Sequence, residues 1–347
     1  MDLPYYFKQA IEQKASDLHL VEGSCPALRI SGELVKIEDK EIPFGELRYS
    51  IFSVLEKEYK ERFERKKDID ISMEFFNNRF RVNLHYQSGK VGLAARLVPK
   101  EIPDPKEINI NEIIYKLTHL KDGLIIIAGP SGAGKSTTLA VMLDIINRER
   151  RSHIITIEDP IEYVFKDKQS IIEQRQLGVD TRSFESALKY ALRQDPNIIM
   201  VGEMRDFETI SAALTAAKTG HLVLSTLHTP TAAETIERIV DFFPVQNQNQ
   251  IAHQLSSVIR AVISQQLLHK INGGLTVARE IMINNNAISN LIRRNQIEQI
   301  YSAIQTGKSD GMITMNKSID KLLEEGVISE TVARNAKRDM ETKAIYY

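Results

Sequence analysis

Gly123-Leu-Ile-Ile-Ile-Ala128 runs directly into Gly129-Pro-Ser-Gly-Ala-Gly-Lys135-Ser136, and Thr137 to Asn147 follows with helical spacing. A buried strand, a glycine-rich turn and a helix in that order are the context in which G-x-x-x-x-G-K-[ST] cradles phosphate. Glycines let backbone N–H groups approach phosphate oxygens, and the helix N-terminus adds a favourable dipole. Residues Gly129, Pro130, Ser131, Gly132, Ala133, Gly134, Lys135, Ser136 and Thr137 are therefore the expected nucleotide-binding set. Lys135 reaches for the β- and γ-phosphates, and the Ser136 hydroxyl for Mg²⁺. The glycine spacing does not fit the dinucleotide fingerprint G-x-G-x-x-G. The expected ligands are ATP and Mg²⁺.

Working outward, apolar strands alternate with helices. Ile154–Ile157, Ile198–Val201 and Leu222–Thr226 read as strands; Phe184–Leu192 and Asp206–Thr219 read as helices. Near-continuous apolar strands between helices predict a parallel sheet covered on both faces. Hydrolysis also needs groups that position and deprotonate water. Ile157-Glu-Asp-Pro-Ile-Glu162 ends one strand at Pro160 and puts acids on the following loop. Ile198-Ile-Met-Val-Gly-Glu203 ends another, with Glu203 at the position of a Walker B acid and glycine before it. Strand carboxyl ends are the ligand-binding edge of such sheets. Thr219-Gly-His221 to His228-Thr229 brackets a further strand with two histidines, and a histidine beside a γ-phosphate can sense its loss. Solvated acids and structural histidines are the plain alternative at each of these positions.

Before the P-loop the pattern is that of a mixed α/β domain. Tyr5–Lys14 has helical spacing. Leu18–Val21, Ala27–Ile30 and Leu34–Ile37 read as strands, and Glu46–Arg65 as one charged helical stretch. Asp68–Phe75 and Arg79–Tyr86 read as a hairpin around Asn77-Asn78, followed by Val91–Val98. Arg79, Arg81 and Arg96 lie on these last strands, where an arginine delivered from another domain or subunit can stabilise transferring phosphate charge. Pro99-Lys-Glu-Ile-Pro-Asp-Pro-Lys-Glu cannot continue a helix or central strand. The expected division is residues 1–98, a linker 99–112, an ATPase domain 113–285 and a helical extension 286–347.

Composition narrows the class. The 347 residues are 42% hydrophobic and 26% charged, as in globular proteins. Lys+Arg is 45 and Asp+Glu 46, a net charge of −1, without the basic excess of a nucleic-acid binder. The one cysteine, Cys25, allows no internal disulfide and no cysteine-rich zinc site. Met1–Lys14 lacks the apolar core of a signal peptide. Leu124–Ala128, the strongest apolar run, is too short to span a bilayer. No transmembrane segment and a cytoplasmic location are expected.

With these motifs in place, the chain resembles the secretion ATPases of the type II/type IV pilus superfamily, and most closely their pilus retraction branch. Ala15-Ser-Asp-Leu-His-Leu20 with Gly23, Pro26, Arg29 and Gly32 is similar to that family's N-terminal signature. Arg79-Phe-Arg-Val-Asn83 and Arg96-Leu-Val-Pro99 resemble its arginine-bearing strands. Thr156–Glu162 resembles its Asp box, Gln194–Asp206 its atypical Walker B, and Gly220–Thr229 its His box. Gln265–Leu268 and Gly311–Met315 resemble C-terminal motifs of the same branch. The resemblance implies an N-terminal PAS-like α+β domain and a C-terminal RecA-like domain, assembled as a homohexamer that hydrolyses ATP to drive pilus retraction and twitching motility. It implies Glu162 as the catalytic carboxylate, Glu203 at the Mg²⁺-phosphate region and roles for His221, His228, Arg81 and Arg96 around the nucleotide. It also implies an inner-membrane pilus platform protein as partner, pilin indirectly, and peripheral attachment to that membrane.

Longer extension and type II secretion ATPases often carry a tetracysteine zinc insert, which one cysteine excludes. Ala287-Ile-Ser289-Asn-Leu-Ile-Arg293-Arg294 has Ser and Arg where the retraction branch usually has Arg and Glu. A pilus or secretion paralogue with altered coupling is thus the second reading. A RecA-like nucleic-acid translocase would share the P-loop, but the chain lacks a basic run interleaved with aromatics. A nucleotide-binding assembly partner without turnover would not need Lys135, Ser136, Glu162 and Glu203 together. A GTPase would need Asn-Lys-x-Asp, and Asn316-Lys-Ser-Ile-Asp320 places its acid one residue late.

Overall fold

The computed structural model describes residues 1–30, 32–98 and 101–337. It divides into two compact units, Met1–Glu101 and Ile102–Tyr347. Pro99 and Lys100 of the expected linker and residues 338–347 of the expected helical extension lie outside the described residues.

The first unit holds helix α1 (Leu3–Glu12) and strands β1 (Asp17–Val21), β2 (Ala27–Ile30) and β3 (Glu33–Lys36). Helices α2 (Glu46–Val54) and α3 (Lys57–Lys66) and strands β4 (Asp68–Phe75), β5 (Asn78–Gln87) and β6 (Lys90–Leu97) complete it. Its six strands form one sheet in the order β3-β2-β1-β6-β5-β4, antiparallel throughout. Alternation along the strands turns Leu18, Leu20, Phe80, Val82, Leu84, Leu93 and Ala95 inward against Phe7 of α1 and Phe63 of α3. The single helix expected over Glu46–Arg65 is two. Leu55 and Glu56 both adopt extended backbone, which stops α2 and starts α3. The break lets Leu55 join the core, and an Arg48–Glu64 ion pair of 2.6 Å ties the two helices.

The second unit opens with α4 (Glu112–Thr118), β7 (Gly123–Ala128) and α5 (Lys135–Glu149). Then come β8 (His153–Glu158), β9 (Ile171–Gln176), α6 (Phe184–Ala191), β10 (Ile198–Val201), α7 (Phe207–Lys218) and β11 (Leu222–Leu227). Helices α8 (Ala232–Asp241) and α9 (Val245–Val258) lead to the hairpin β12 (Ile259–His269) and β13 (Leu275–Ile283). Helices α10 (Asn286–Arg293), α11 (Ile300–Thr306), α12 (Met315–Glu324) and α13 (Glu330–Ala336) follow. The sheet has seven strands in the order β13-β12-β7-β11-β10-β8-β9, all parallel except the antiparallel edge strand β13.

Strands β7, β10 and β11 are buried along their whole length, as strands covered on both faces must be. One core layer packs their residues against α6, α7, α8 and α9, and the other against α4 and α5. Ile288, Ile292, Ile300 and Ile304 enter the first of these layers, so the start of the C-terminal helical region shares the sheet's core.

Candidate active site

Register decides which side chains meet. In the parallel ladder Leu227 pairs with Ala128, Ser225 with Ile126, and Val201 with both Ser225 and Ile157. The carboxyl ends of β7, β11, β10 and β8 are therefore neighbours along one edge. The loops leaving them carry the P-loop, His228, Glu203 and the Asp159–Glu162 segment.

Three P-loop glycines take backbone conformations that a side chain would oppose. Gly129 has φ 144°, Gly132 78° and Gly134 80°. A Cβ on Gly129 would sit 2.4 Å from the carbonyl oxygen of Gln265 on β12, whereas one on Gly132 would meet nothing within 4 Å. The loop is thus pressed onto β12 at its base and open at its crest, where Pro130, Ser131 and Gly132 are exposed. Lys135 and Ser136 begin α5. The Lys135 ammonium folds back over the loop and donates to the carbonyls of Gly129 at 2.8 Å and Pro130 at 2.9 Å. Burial lowers its pKa, and the carboxylates of Glu203 and Glu162 pull it back up. A largely buried ammonium at the start of the P-loop helix is a strong donor to an anion such as phosphate.

His228, at the end of β11, stands with Nδ1 3.3 Å from the Lys135 ammonium. Burial, and then the nearby lysine, lower its pKa, so the ring is neutral at pH 7. A neutral ring facing an ammonium accepts at Nδ1, which puts the proton on Nε2. That nitrogen faces Glu203 Oε2 at 3.7 Å. Lys135, His228 and Glu203 thus form one chain across three strand ends. Glu203 also pairs with Arg205, whose guanidinium lies 3.9 Å from Asp159. Gly202 precedes Glu203 in a tight spot: a Cβ there would stand 3.3 Å from the carbonyl of Ile157, which accepts the Gly202 N–H at 2.8 Å.

Glu162 is exposed on the loop after β8, beside this chain. Its loop hangs from Glu158. That buried carboxyl accepts from the Thr156 hydroxyl at 2.6 Å, Gln174 Nε2 at 3.0 Å and the Glu162 N–H at 3.4 Å, and burial pushes its pKa up. Thr137 turns to the Tyr163 hydroxyl at 3.1 Å, joining the P-loop helix to the Glu162 loop.

His221, expected beside the nucleotide, lies at the other end of its strand. It precedes β11, and its carbonyl accepts the N–H of Gly123 at 3.0 Å, at the amino edge of the sheet. With the six residues of β11 between them, it lies seven steps from His228, about 23 Å at ~3.3 Å per residue. Its Nδ1 lies 3.0 Å from the Ala216 carbonyl, at the end of α7. The structure does not bring His221 to this chain's P-loop.

Arg81 and Arg96 face each other across β5 and β6 in the first unit. Arg96 donates to Asp17 at 2.8 Å, and Arg81 lies 3.8 Å from Asp70. Both remain partly open to solvent, at 69% for Arg96 and 41% for Arg81, so neither is consumed by a buried ion pair. Sequence reasoning passed over Glu158 and Arg205. The signal was present in the first acid of Glu158-Asp-Pro-Ile-Glu162 and in an arginine two residues after Glu203.

Residues 3–345 match the family described as type II/IV secretion system protein. The chain is 43% identical over 335 residues to the "type IV pilus retractation ATPase PilT" of Pseudomonas aeruginosa, covering 96% of this chain and 97% of that protein. It is 42% identical over 319 residues to a twitching motility protein of Neisseria gonorrhoeae, covering 91% and 85%. A crystal structure of the pilus retraction motor PilT with bound ADP superposes with a TM-score of 0.91 at 46% identity, over 99% of this chain and 98% of that one. The chain belongs to the type II/IV secretion system protein family.

Proposed function

We propose that the chain is an ATP-hydrolysing motor that works as a homohexamer and powers type IV pilus retraction. The observation that carries this reading is the meeting of Lys135, His228 and Glu203 at one sheet edge, with Glu162 beside them. The retraction ATPase and twitching motility relatives supply the biological setting.

The P-loop N–H groups and Lys135 hold the β- and γ-phosphates of ATP. Glu162, on the loop hung from Glu158, accepts a proton from the attacking water. His228 bridges Lys135 and Glu203, so loss of the γ-phosphate changes the balance of a chain that crosses three strands. Among the described residues no group of three or more His, Cys, Asp or Glu stands ready for a metal. Ser136 and Glu203 would hold Mg²⁺, which would supply charge neutralisation at the phosphates. Asp159 is the alternative partner for Arg205 when Glu203 turns to the nucleotide. No helix among the described residues is long and apolar enough to cross a membrane. The motor acts on the cytoplasmic side of the inner membrane through a pilus platform protein, and through that protein on pilin. Residues 1–98 deliver Arg81 and Arg96, residues 113–285 turn over ATP, and residues 286–347 carry the coupling helices.

A second reading, a paralogue with altered coupling, draws on Ser289. Its hydroxyl donates to the Ser256 carbonyl on α9 at 3.1 Å, where the retraction branch usually has a long cation.

Assembly gives the biochemical test. Arg96 of one subunit completes a neighbour's site, so the rate of phosphate release per chain should rise with protein concentration as rings form. Arg96→Ala should be inactive alone and regain turnover when mixed with Lys135→Ala, whose subunits supply intact arginines to competent P-loops. Full activity in a verified monomer, or no rescue in hexamers verified to contain both variants, would exclude arginine donation between subunits.

A further inference from the structure

On the flank of β7 away from β11, the P-loop rests on a polar group buried inside the β12–β13 hairpin. Gln265 and Arg279 are direct partners in that ladder. Both are almost sealed from solvent, at 1% and 6% exposure. Buried polar side chains of this size are costly unless their hydrogen bonds are made, so what they bind is informative.

Gln265 Nε2 donates to the Ala133 carbonyl of the P-loop at 2.7 Å, and its Oε1 accepts from the Thr138 hydroxyl at 3.0 Å. In a trans peptide the carbonyl and the next N–H point in opposite directions. Holding the Ala133 carbonyl against Gln265 therefore aims the Gly134 N–H the other way, away from the hairpin. Thr138 is also reached by Arg279 Nη2 at 3.4 Å. The two Nη atoms serve the segment before α4, while Nε is buried without a partner: Nη1 donates to the Asn109 carbonyl at 2.8 Å, and Nη2 to the Ile108 carbonyl at 2.9 Å. Every one of these acceptors is neutral, and burial lowers the Arg279 pKa to about 10. A buried cation on neutral carbonyls is a poor source of stability, and an apolar side chain would pack there more cheaply. What the guanidinium does provide is a fixed fork between two segments.

The segment it holds is a compact turn. Glu107 N–H donates to the Asp104 carbonyl at 2.9 Å, Asn109 N–H to Lys106 at 3.2 Å, and Ile110 N–H to Pro105 at 2.9 Å. Residues 104–110 so bonded move together. Thr138 is the one hydroxyl shared by the arginine that holds this turn and the glutamine that holds the P-loop.

We propose that Thr138, Gln265 and Arg279 form a positioning relay that couples the turn at residues 104–110 to the P-loop, so that nucleotide binding and the position of that turn are linked. The relay rests on the reading that this P-loop binds nucleotide. Linkage is reciprocal: whatever factor the docked turn adds to nucleotide affinity, bound nucleotide adds to the turn's docking. The turn follows directly on the first unit, which places the relay between the two units' chain connection and the phosphate cradle.

The test is amide exchange on the full chain with and without ADP, together with ADP affinity and steady-state kinetics. In the wild type, ADP should slow exchange both at residues 129–138 and at residues 104–110. Thr138→Val keeps the shape and removes the shared hydroxyl. It should weaken ADP binding roughly five- to tenfold, the size expected for losing a buried neutral hydrogen bond. KM for ATP should rise by a similar factor with kcat little changed. At saturating ADP, residues 129–138 should still be protected while residues 104–110 no longer respond. Gln265→Met breaks the relay from the other side and should decouple the turn in the same way, which covers the case in which Thr138→Val does not fold. A turn that responds to ADP as strongly in both folded variants as in the wild type overturns the relay. So does a wild-type turn that never responds while residues 129–138 do. ADP that fails to bind the wild type, with exchange identical to Lys135→Ala throughout, would instead remove the nucleotide-site reading beneath it.

Discussion

Lys135→Ala should release no phosphate above background, while unfolding at nearly the wild-type temperature. The ammonium is the cation that enters the cradle, held at 2.8 and 2.9 Å by the loop's own carbonyls. The next cation along the edge, Arg205, is engaged by Glu203 and Asp159. No other described side chain is placed to bridge β- and γ-oxygens. Losing a single preorganised donor from a water-poor site costs about 10²–10³-fold in kcat, and this donor carries a full charge, so a loss of about 10³-fold or more is expected. Phosphate release is the measurement, with a nucleotide-binding assay beside it. Turnover near the wild-type rate would remove the P-loop from the mechanism.

Glu162→Gln should keep nucleotide binding and lose turnover by about 10²–10⁴-fold, the range for a general base. The substitution is gentle on the fold. Glu162 is exposed, and its loop is fixed through its backbone N–H to Glu158 rather than through its own carboxylate. Glu203→Gln should behave differently. Glu203 is half of an ion pair with Arg205 and the far end of the chain through His228 to Lys135. Its loss should raise the Mg²⁺ concentration needed for half-maximal activity and leave Arg205 to Asp159. Single-turnover rates across a Mg²⁺ titration separate the two variants. Equal and mild effects would show the roles to be misassigned.

What the sequence made legible was whatever is contiguous. The P-loop, its strand and its helix are read from residues 123–147 because each group's partner lies a few positions away. The strands of the parallel sheet announce themselves as apolar runs, and the turns that end them put acids on loops. The β12–β13 hairpin was not legible for the opposite reason. Ser264-Gln265-Gln266 and Arg279-Glu280 interrupt its apolar pattern, and they do so because Gln265 and Arg279 serve the P-loop and the turn before α4. The break at Leu55-Glu56 involves neither glycine nor proline, and Leu55 is buried in the core at that point. His221 and His228 look equivalent in sequence, flanking one strand. A strand has two ends, and only its carboxyl end meets the phosphate cradle. Glu158 and Arg205 act by holding Glu162 and Glu203, a role set by distance in space and carrying no motif of its own.

The central claim is that ATP turnover at this edge powers pilus retraction, and counting surface pili tests it most directly. Cells that lack the chain should carry excess pili and fail to spread by twitching. Wild-type protein should restore both, and Lys135→Ala, produced to the same level, should restore neither. Unchanged or reduced pili in the deletion, or full restoration by Lys135→Ala, would contradict the account.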